Sequence, residues 1–240
     1  MLAQINIELE ANGLSTNMGS LFHGYLMENI DSAYANYFHY NTTNPFTSCI
    51  FKDMKTDKFF WRITTFNQKA YDMLMTCFSN NIPETIYLKN KDLEINVKSF
   101  SIQKKSHDDL FLECNERKKI RLISPTSFKS NGVTHIFPNI STLISGVVTK
   151  INQHSDSIEL GDKKIIDELL EKVYIKDYNL RTKFFYLESI KIKGFIGTMD
   201  LAIKGEDTML ASILNFLILM SEYTGLGIKT SLGMGGVKVE

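Results

Sequence analysis

A glycine-rich segment near the C-terminus carries residue types that can contact phosphate groups. Five glycines fall within the twelve residues 225–236, and Lys229, Thr230 and Ser231 lie between them. Glycine lets the backbone approach a ligand closely, and bare N–H groups, a lysine and hydroxyl groups all contact anions. The segment therefore predicts a loop with many bare N–H groups that lies against an extended polyanion. The alternative is structural: a helix C-cap at Gly225 and a bulged turn before an edge strand.

The spacing within this segment excludes the two common nucleotide-binding motifs. A P-loop requires a lysine directly after a glycine, whereas Lys229 follows Ile228. A dinucleotide fingerprint requires G-x-G-x-x-G, whereas Thr230 occupies the position of the third glycine. The predicted order is helix, loop, strand, so no helix N-terminus follows the loop to bind a phosphate.

His39 can do acid–base chemistry. It ends a helical pattern and is followed by polar residues in the run HYNTTN, residues 39–44. An imidazole accepts a proton near neutral pH, which suits a general base. The alternative is a histidine that caps the helix C-terminus or interacts with its dipole. His23 is available as a second base, and His107, His135 and His154 are assigned no role.

The composition is that of a globular protein. The 240 residues are 43% hydrophobic and 22% charged, and 27 basic residues balance 27 acidic ones. Zero net charge argues against an unstructured basic arm but allows a local basic face that binds phosphates. Cys49, Cys77 and Cys114 fit neither a disulfide framework nor a zinc site. With no signal-peptide pattern or apolar membrane span, we expect a cytoplasmic protein without a metal centre.

The apolar periodicity of the first half predicts a ferredoxin-like unit. Strands are predicted at 4–10, 46–53, 59–65, 85–89 and 93–102, with helices at 17–39 and 67–79. Asp31 is typical of an N-cap and divides the first helical stretch into two pieces. The polar residues 103–109 form the predicted linker, and we expect the first domain to cover residues 1–108.

The second half, residues 109–240, predicts another ferredoxin-like unit with extra helices. Strands are predicted at 110–114, 118–123, 133–137 and 236–240, helices at 140–153, 163–174 and 207–223, and a long hairpin at 184–204. Gly194 and Gly197 mark a bend or bulge in that hairpin. The expected fold class is α+β, with two tandem ferredoxin-like (RRM-like) domains built on antiparallel sheets.

Four segments, taken in order, carry a family resemblance. They are FH at 38–39 followed by NPFTS at 44–48, SPTSFKSNG at 124–132, KGFIGTMDLAIKG at 193–205, and YTGLGIKTSLGMGG at 223–236. Together they resemble the CRISPR-associated endoribonucleases that cut repeat transcripts into guide RNAs. This is the Cas six family of the RAMP superfamily, and the resemblance covers nearly the whole chain, from about residue 20 to residue 236.

The resemblance implies a fold, a reaction and partners. The fold is two tandem ferredoxin-like domains, and the reaction is RNA cleavage without metal or cofactor. A ribose 2′-hydroxyl attacks the adjacent phosphate, leaving a 2′,3′-cyclic phosphate and a 5′-hydroxyl. The implied partner is CRISPR repeat RNA, and the resemblance also allows contacts with effector-complex subunits and a homodimer.

The resemblance also assigns residues to the reaction. His39 is the expected general base, and Tyr25 and Lys52 are candidates to act on the leaving oxygen or the developing charge. On one straight helix Tyr25 would lie roughly 21 Å from His39, but the break near Asp31 allows the first piece to fold back. The alternatives are a core-facing aromatic and a surface lysine. The predicted RNA-binding residues are Gly225, Gly227, Lys229, Thr230, Ser231, Gly233, Gly235, Gly236, Lys129 and Lys193.

Other functions remain open at this point. On the same fold, a non-catalytic RAMP subunit could hold guide RNA inside an effector complex. A two-domain interaction module without an RNA role is a third interpretation, and it predicts no salt-dependent RNA binding.

Overall fold

A computed structural model describes residues 1–40, 43–78, 82–130, 132–187 and 190–240, with the backbone alone for Tyr40. Parts of four predicted features lie outside these residues. They are Asn41 and Thr42 of the polar run after His39, Ser79 at the end of a predicted helix, Asn131 of the mid-chain segment, and residues 188–189 of the predicted hairpin.

The first domain is built on a five-stranded antiparallel sheet. Its elements are β1 (Leu2–Glu10), α1 (Gly19–Glu28), α2 (Ser32–Tyr40), β2 (Phe46–Lys52), β3 (Phe59–Thr65), α3 (Gln68–Met75), β4 (Thr85–Leu88) and β5 (Leu93–Lys105). The strand order is β2-β3-β1-β5-β4. The first four strands in that order form the ferredoxin-like sheet, with β5 as its last strand, and β4 extends the edge.

Local sequence accounts for these elements. Alternate residues of β1 (Ile5, Ile7 and Leu9) are buried in the core with Phe22 and Leu26 of α1. The helical stretch divides as predicted, because the Asp31 carboxylate accepts the Ala33 N–H at 2.8 Å and begins α2.

The four-stranded sheet of the second domain has the same ferredoxin-like strand order as the first four strands of the first domain, given from the opposite edge. Its elements are α4 (His107–Glu113), β6 (Lys119–Thr126), β7 (Phe128–Ser130), β8 (Val133–His135), α5 (Ile140–His154), α6 (Lys163–Lys172), β9 (Val173–Leu187), β10 (Ile190–Ile203), α7 (Thr208–Thr224) and β11 (Val237–Val239). The antiparallel sheet has the order β11-β6-β10-β9, and β7 pairs with β8 in a separate hairpin. The predicted fold class of two ferredoxin-like domains is confirmed.

Two predictions in this half were wrong. Residues 110–114 lie in and just after the helix α4 rather than in a strand, because Ser106 and Asp109 form a capping box that begins it. The long hairpin begins at Val173 rather than at residue 184, since β9 pairs with β10 along nearly its whole length. The predicted irregularity in β10 is present between Phe195 and Gly197, where the pairing with β6 changes register.

A buried polar contact joins the domains. Arg62 of β3 is 6% exposed, and its Nη1 donates to the Val237 carbonyl at 3.0 Å and lies 3.5 Å from Glu222 Oε1. Beside it, the Thr64 hydroxyl donates to the Tyr223 carbonyl at 2.7 Å. The sheet of the first domain therefore holds the C-terminal end of α7, from which the glycine-rich loop departs. Among the described residues, no helix is long and apolar enough to cross a membrane.

Candidate active site

His39 lies in the last turn of α2 with its side chain exposed. The neighbouring Phe38 is 2% exposed and packs edge-on against Phe46, with ring centroids 4.9 Å apart. Because successive helical residues differ by about 100° in direction, burial of Phe38 turns His39 towards the surface. The helix thus presents an accessible imidazole at its C-terminal end.

The fold brings His23 of α1 near His39. Burial lowers the pKa of His23 to about 4, a hydrogen bond with the Ser231 backbone opposes this shift, and nearby His39 lowers the pKa further. The ring lies parallel to Phe46, with centroids 6.0 Å apart. His23 is therefore a neutral imidazole near pH 7, held between the core of the first domain and the glycine-rich loop.

The glycine-rich loop joins α7 to β11. It begins with the helix C-cap at Gly225 that the structural alternative predicted. Gly225 caps α7 with φ +63°, and its N–H donates to the Ser221 carbonyl at 2.9 Å. The loop then turns back at Lys229, whose φ of 58° lies in the left-handed region and whose carbonyl accepts the N–H groups of Leu232 and Met234.

Several N–H groups of the loop are already hydrogen-bonded within the protein, so fewer are available to a ligand than the sequence suggested. The N–H of Ile228 donates to the Ser127 carbonyl, that of Gly235 to the Pro125 carbonyl, and that of Gly236 to the Ser124 hydroxyl. The reason is that the loop packs against the end of β6, and its glycines permit this approach. A Cβ at Gly227 would lie 2.2 Å from the Ser127 carbonyl oxygen.

The exposed fractions of the loop residues distinguish those that a ligand can contact from those that are packed inside the protein. Lys229 is exposed and Ser231 half-buried, whereas Thr230 is 8% exposed. Gly225, Gly233, Gly235 and Gly236 are buried, and Gly227 is half-buried. The predicted RNA contacts of all eight residues stay predictions, and Lys229 and Ser231 offer the accessible side chains.

The loop reaches across to the first domain beside the two histidines. The Ser48 N–H donates to the Thr230 carbonyl at 3.0 Å, and Asn44 Nδ2 donates to Ser231 Oγ at 3.3 Å. Among the described residues, His23 Nδ1 and Asn44 Oδ1 are buried without a hydrogen-bond partner. The site therefore combines His39, His23 and Asn44 of one domain with Ser231 of the other.

Tyr25 points in another direction from α1. It follows His23 by two residues, which is about 200° around a helix. Its ring meets Trp61 edge-on at 6.2 Å, and burial, followed by the charge of Cys77, raises its pKa. These contacts match the core-facing alternative, and the catalytic assignment of Tyr25 stays a prediction that they do not support.

The three other candidate lysines are exposed. Lys52, at the end of β2, pairs with Asp57 at 2.7 Å and lies over the Phe59 ring, as a surface lysine would. Lys129 lies on β7 and Lys193 on β10. Their predicted roles in cleavage and RNA binding are untested by these contacts.

Sequence reasoning missed Lys150. Its Nζ donates to the carbonyls of Thr224 at 2.7 Å and Gly225 at 3.3 Å, and lies 3.4 Å from Thr230 Oγ1. Burial lowers the pKa of Lys150 to about 7. The signal was its position in the apolar stripe of α5, three residues after Val147, where a lysine needs buried acceptors.

Histidine and acidic side chains do not form a metal site in the part of the chain that the structure describes. No group of three or more His, Cys, Asp or Glu side chains there could hold a metal ion.

The lowered pKa of His23 predicts an acid-sensitive fold. The unfolded chain binds a proton at His23 near pH 6.5, whereas the folded protein does so near pH 4, so stability falls as the pH drops from 6.5 to 4. His23→Gln removes this titration and keeps an amide donor for the loop. We expect the free energy of unfolding in urea to drop less between pH 7 and pH 4.5 in the variant than in the parent. Equal drops would contradict the prediction.

The sequence is similar to those of known proteins. The family model described as CRISPR-associated endoribonuclease Cas6 matches residues 120–237. A Cas6 endoribonuclease of Streptococcus thermophilus is 29% identical over 229 residues, covering 91% of this chain and 90% of the relative. One of Mycobacterium tuberculosis is 25% identical over 242 residues, covering 99% of this chain and 76% of the relative.

The fold itself is shared with solved structures. A Cas6 product complex superposes with a TM-score of 0.84 at 18% identity and covers all of both chains. The matched family model, both relatives and this solved structure are all described as Cas6, so the three comparisons support a CRISPR-associated protein of the Cas6 type.

Proposed function

We propose that this protein binds CRISPR repeat transcripts and cleaves them into guide RNAs without a metal ion. The family supports RNA processing, since its curated relatives are named endoribonucleases. The observation that carries the proposal is the position of an exposed histidine, His39, at the junction where the glycine-rich loop of the other domain meets α1. One domain offers a base, and the other offers a cation and a hydroxyl for the RNA backbone.

His39 acts as the general base in the proposed reaction. It removes the proton of the ribose 2′-hydroxyl, the 2′-oxygen bonds to the adjacent phosphorus, and the 5′-oxygen leaves and gains a proton. The products are a 2′,3′-cyclic phosphate and a 5′-hydroxyl. Lys229 lies exposed on the loop and places positive charge near the phosphate chain.

Cleavage of end-labelled repeat RNA tests this function. We expect one discrete cut, equal rates with and without EDTA, and a 3′ end that accepts a ligated adaptor only after the cyclic phosphate is removed. Loss of cleavage in EDTA would contradict metal independence. Binding without any product would instead favour the non-catalytic RNA-binding subunit.

Lys229→Ala is expected to weaken RNA binding without regard to sequence. The exposed ammonium contacts backbone phosphate in this proposal, so its loss reduces the slope of log Kd against log salt by about 0.7 to 0.9. Lys91→Ala, next to β4 at the outer edge of the first sheet, is the matched control and leaves both quantities unchanged. Filter binding at several salt concentrations measures the slope, and equal slopes for the two variants would contradict the assignment.

A further inference from the structure

The chain just after α2 is tied to the other domain by a second contact, separate from the glycine-rich loop. Thr43 is the first described residue after that helix. Its hydroxyl donates to Gln153 Oε1 at 2.6 Å and lies 2.8 Å from His154 Nε2. With the hydroxyl proton directed to Gln153, the hydroxyl oxygen can accept the His154 Nε2–H in the tautomer that carries this proton. The last turn of α5 therefore holds both sides of one hydroxyl group.

Both the backbone and the ring of His154 make contacts that fix its position. Its carbonyl accepts Asn67 Nδ2 at 2.9 Å, and Asn67 Oδ1 in turn caps α3 through the Ala70 N–H at 2.7 Å. Its ring meets Phe66 edge-on, with centroids 5.8 Å apart. A side chain held at backbone and ring keeps its rotamer, so it can serve as a rigid anchor.

The contact between Thr43 and His154 lies close in sequence to His39, the proposed general base. Thr43 is four positions after His39, so their Cα atoms are at most about 14 Å apart. On its other side, Thr43 precedes Asn44, which contacts Ser231 of the glycine-rich loop. Holding Thr43 therefore restricts the end of α2 and the segment that meets the loop at the same time.

We propose that the contact between Thr43 and His154 is a positioning device, through which the last turn of α5 sets the placement of His39 against the glycine-rich loop. This inference rests on the proposed function of His39. Thr43 and His154 are positioning residues in this inference, because they act on His39 and on the loop through the chain between them.

The test uses two substitutions of matched size in the full chain. Thr43→Val removes the hydroxyl and keeps the branched shape, whereas Thr43→Ser keeps the hydroxyl. At saturating protein, we expect Thr43→Val to lower the first-order rate of repeat-RNA cleavage about tenfold and to leave the Kd for RNA within twofold of the parent. Thr43→Ser should cleave at nearly the parent rate. A parent rate for Thr43→Val, or an equal loss for both variants, would overturn the inference.

A double-mutant cycle checks that the hydroxyl acts through the histidine. His154→Phe keeps a ring against Phe66 and loses the Nε2–H donor. Combined with Thr43→Val, it should lower the cleavage rate no further than either substitution alone. Additive losses would mean that the two residues act independently, which overturns the positioning role.

Hydrogen exchange makes the inference testable apart from catalysis. Peptides covering α2 should exchange faster in Thr43→Val than in Thr43→Ser, because the helix end is no longer held. Unchanged exchange would overturn the inference even if the protein cleaves RNA. If the parent cuts no RNA but α2 exchanges faster in Thr43→Val than in Thr43→Ser, the proposed function fails. The contact between Thr43 and His154 is then still shown to hold the end of α2.

Discussion

Replacing His39 with alanine is expected to lower the rate of repeat-RNA cleavage by at least about 100-fold, the range of a lost general base. The side chain is exposed at the end of α2, so its removal leaves no cavity in the core. The Kd for RNA should change less than twofold, because the loop that we propose contacts the RNA backbone is intact. Single-turnover cleavage and filter binding with the same RNA measure the two quantities.

His135→Ala is the matched control for this prediction. His135 is also exposed, on the small hairpin of β7 and β8. Its backbone pairs with Phe128 and accepts the Ser127 hydroxyl, both within the second domain, so its variant should cleave at the parent rate. If His39→Ala cleaves as fast as His135→Ala, the general base has been assigned to the wrong residue.

The fold was largely readable from the sequence because its signals are local. Alternation in β1, the Asp31 cap before α2 and the apolar run of α7 each specify an element within a short stretch. The segment after residue 105 was misjudged, because a short apolar run fits a strand or a helix and the Ser106–Asp109 capping box decides between them.

The site was less readable because it forms only when the domains dock. His39 and the glycine-rich loop were found, but their meeting depends on contacts between distant parts of the chain, such as Asn44 with Ser231. The rotation of α1 about its axis decides whether Tyr25 or His23 faces the site. Phe22 and Leu26 define its buried face, which leaves His23 facing the loop and Tyr25 facing Trp61.

Gly19→Ala is expected to disturb the junction that creates the site. A Cβ at Gly19 would lie 2.4 Å from Gly233 Cα and 2.7 Å from the Leu232 carbonyl oxygen. Both are backbone atoms, so relief requires that the loop move away from α1. Overpacking of this kind costs about 1–3 kcal/mol of folding stability.

The same movement should reduce cleavage. A loop displaced from the first residue of α1 is also displaced from His23, whose ring bonds the Ser231 backbone, and from Asn44. We therefore expect Gly19→Ala to lower both the unfolding temperature and the single-turnover cleavage rate. The rate should fall about tenfold, which corresponds to a reaction barrier raised by roughly 1.4 kcal/mol through misplacement of the loop.

Gly24→Ala separates the effect of the junction from that of a methyl group in α1. A Cβ at Gly24 meets nothing within 4 Å, and the residue lies inside the same helix. Alanine favours a helix interior over glycine by about 1 kcal/mol, so this variant should unfold at a higher temperature and cleave at the parent rate. Opposite shifts in unfolding temperature for the two variants are the expected result. If Gly19→Ala is instead as stable and as active as Gly24→Ala, close packing of the loop on α1 is not what holds the two halves of the site together.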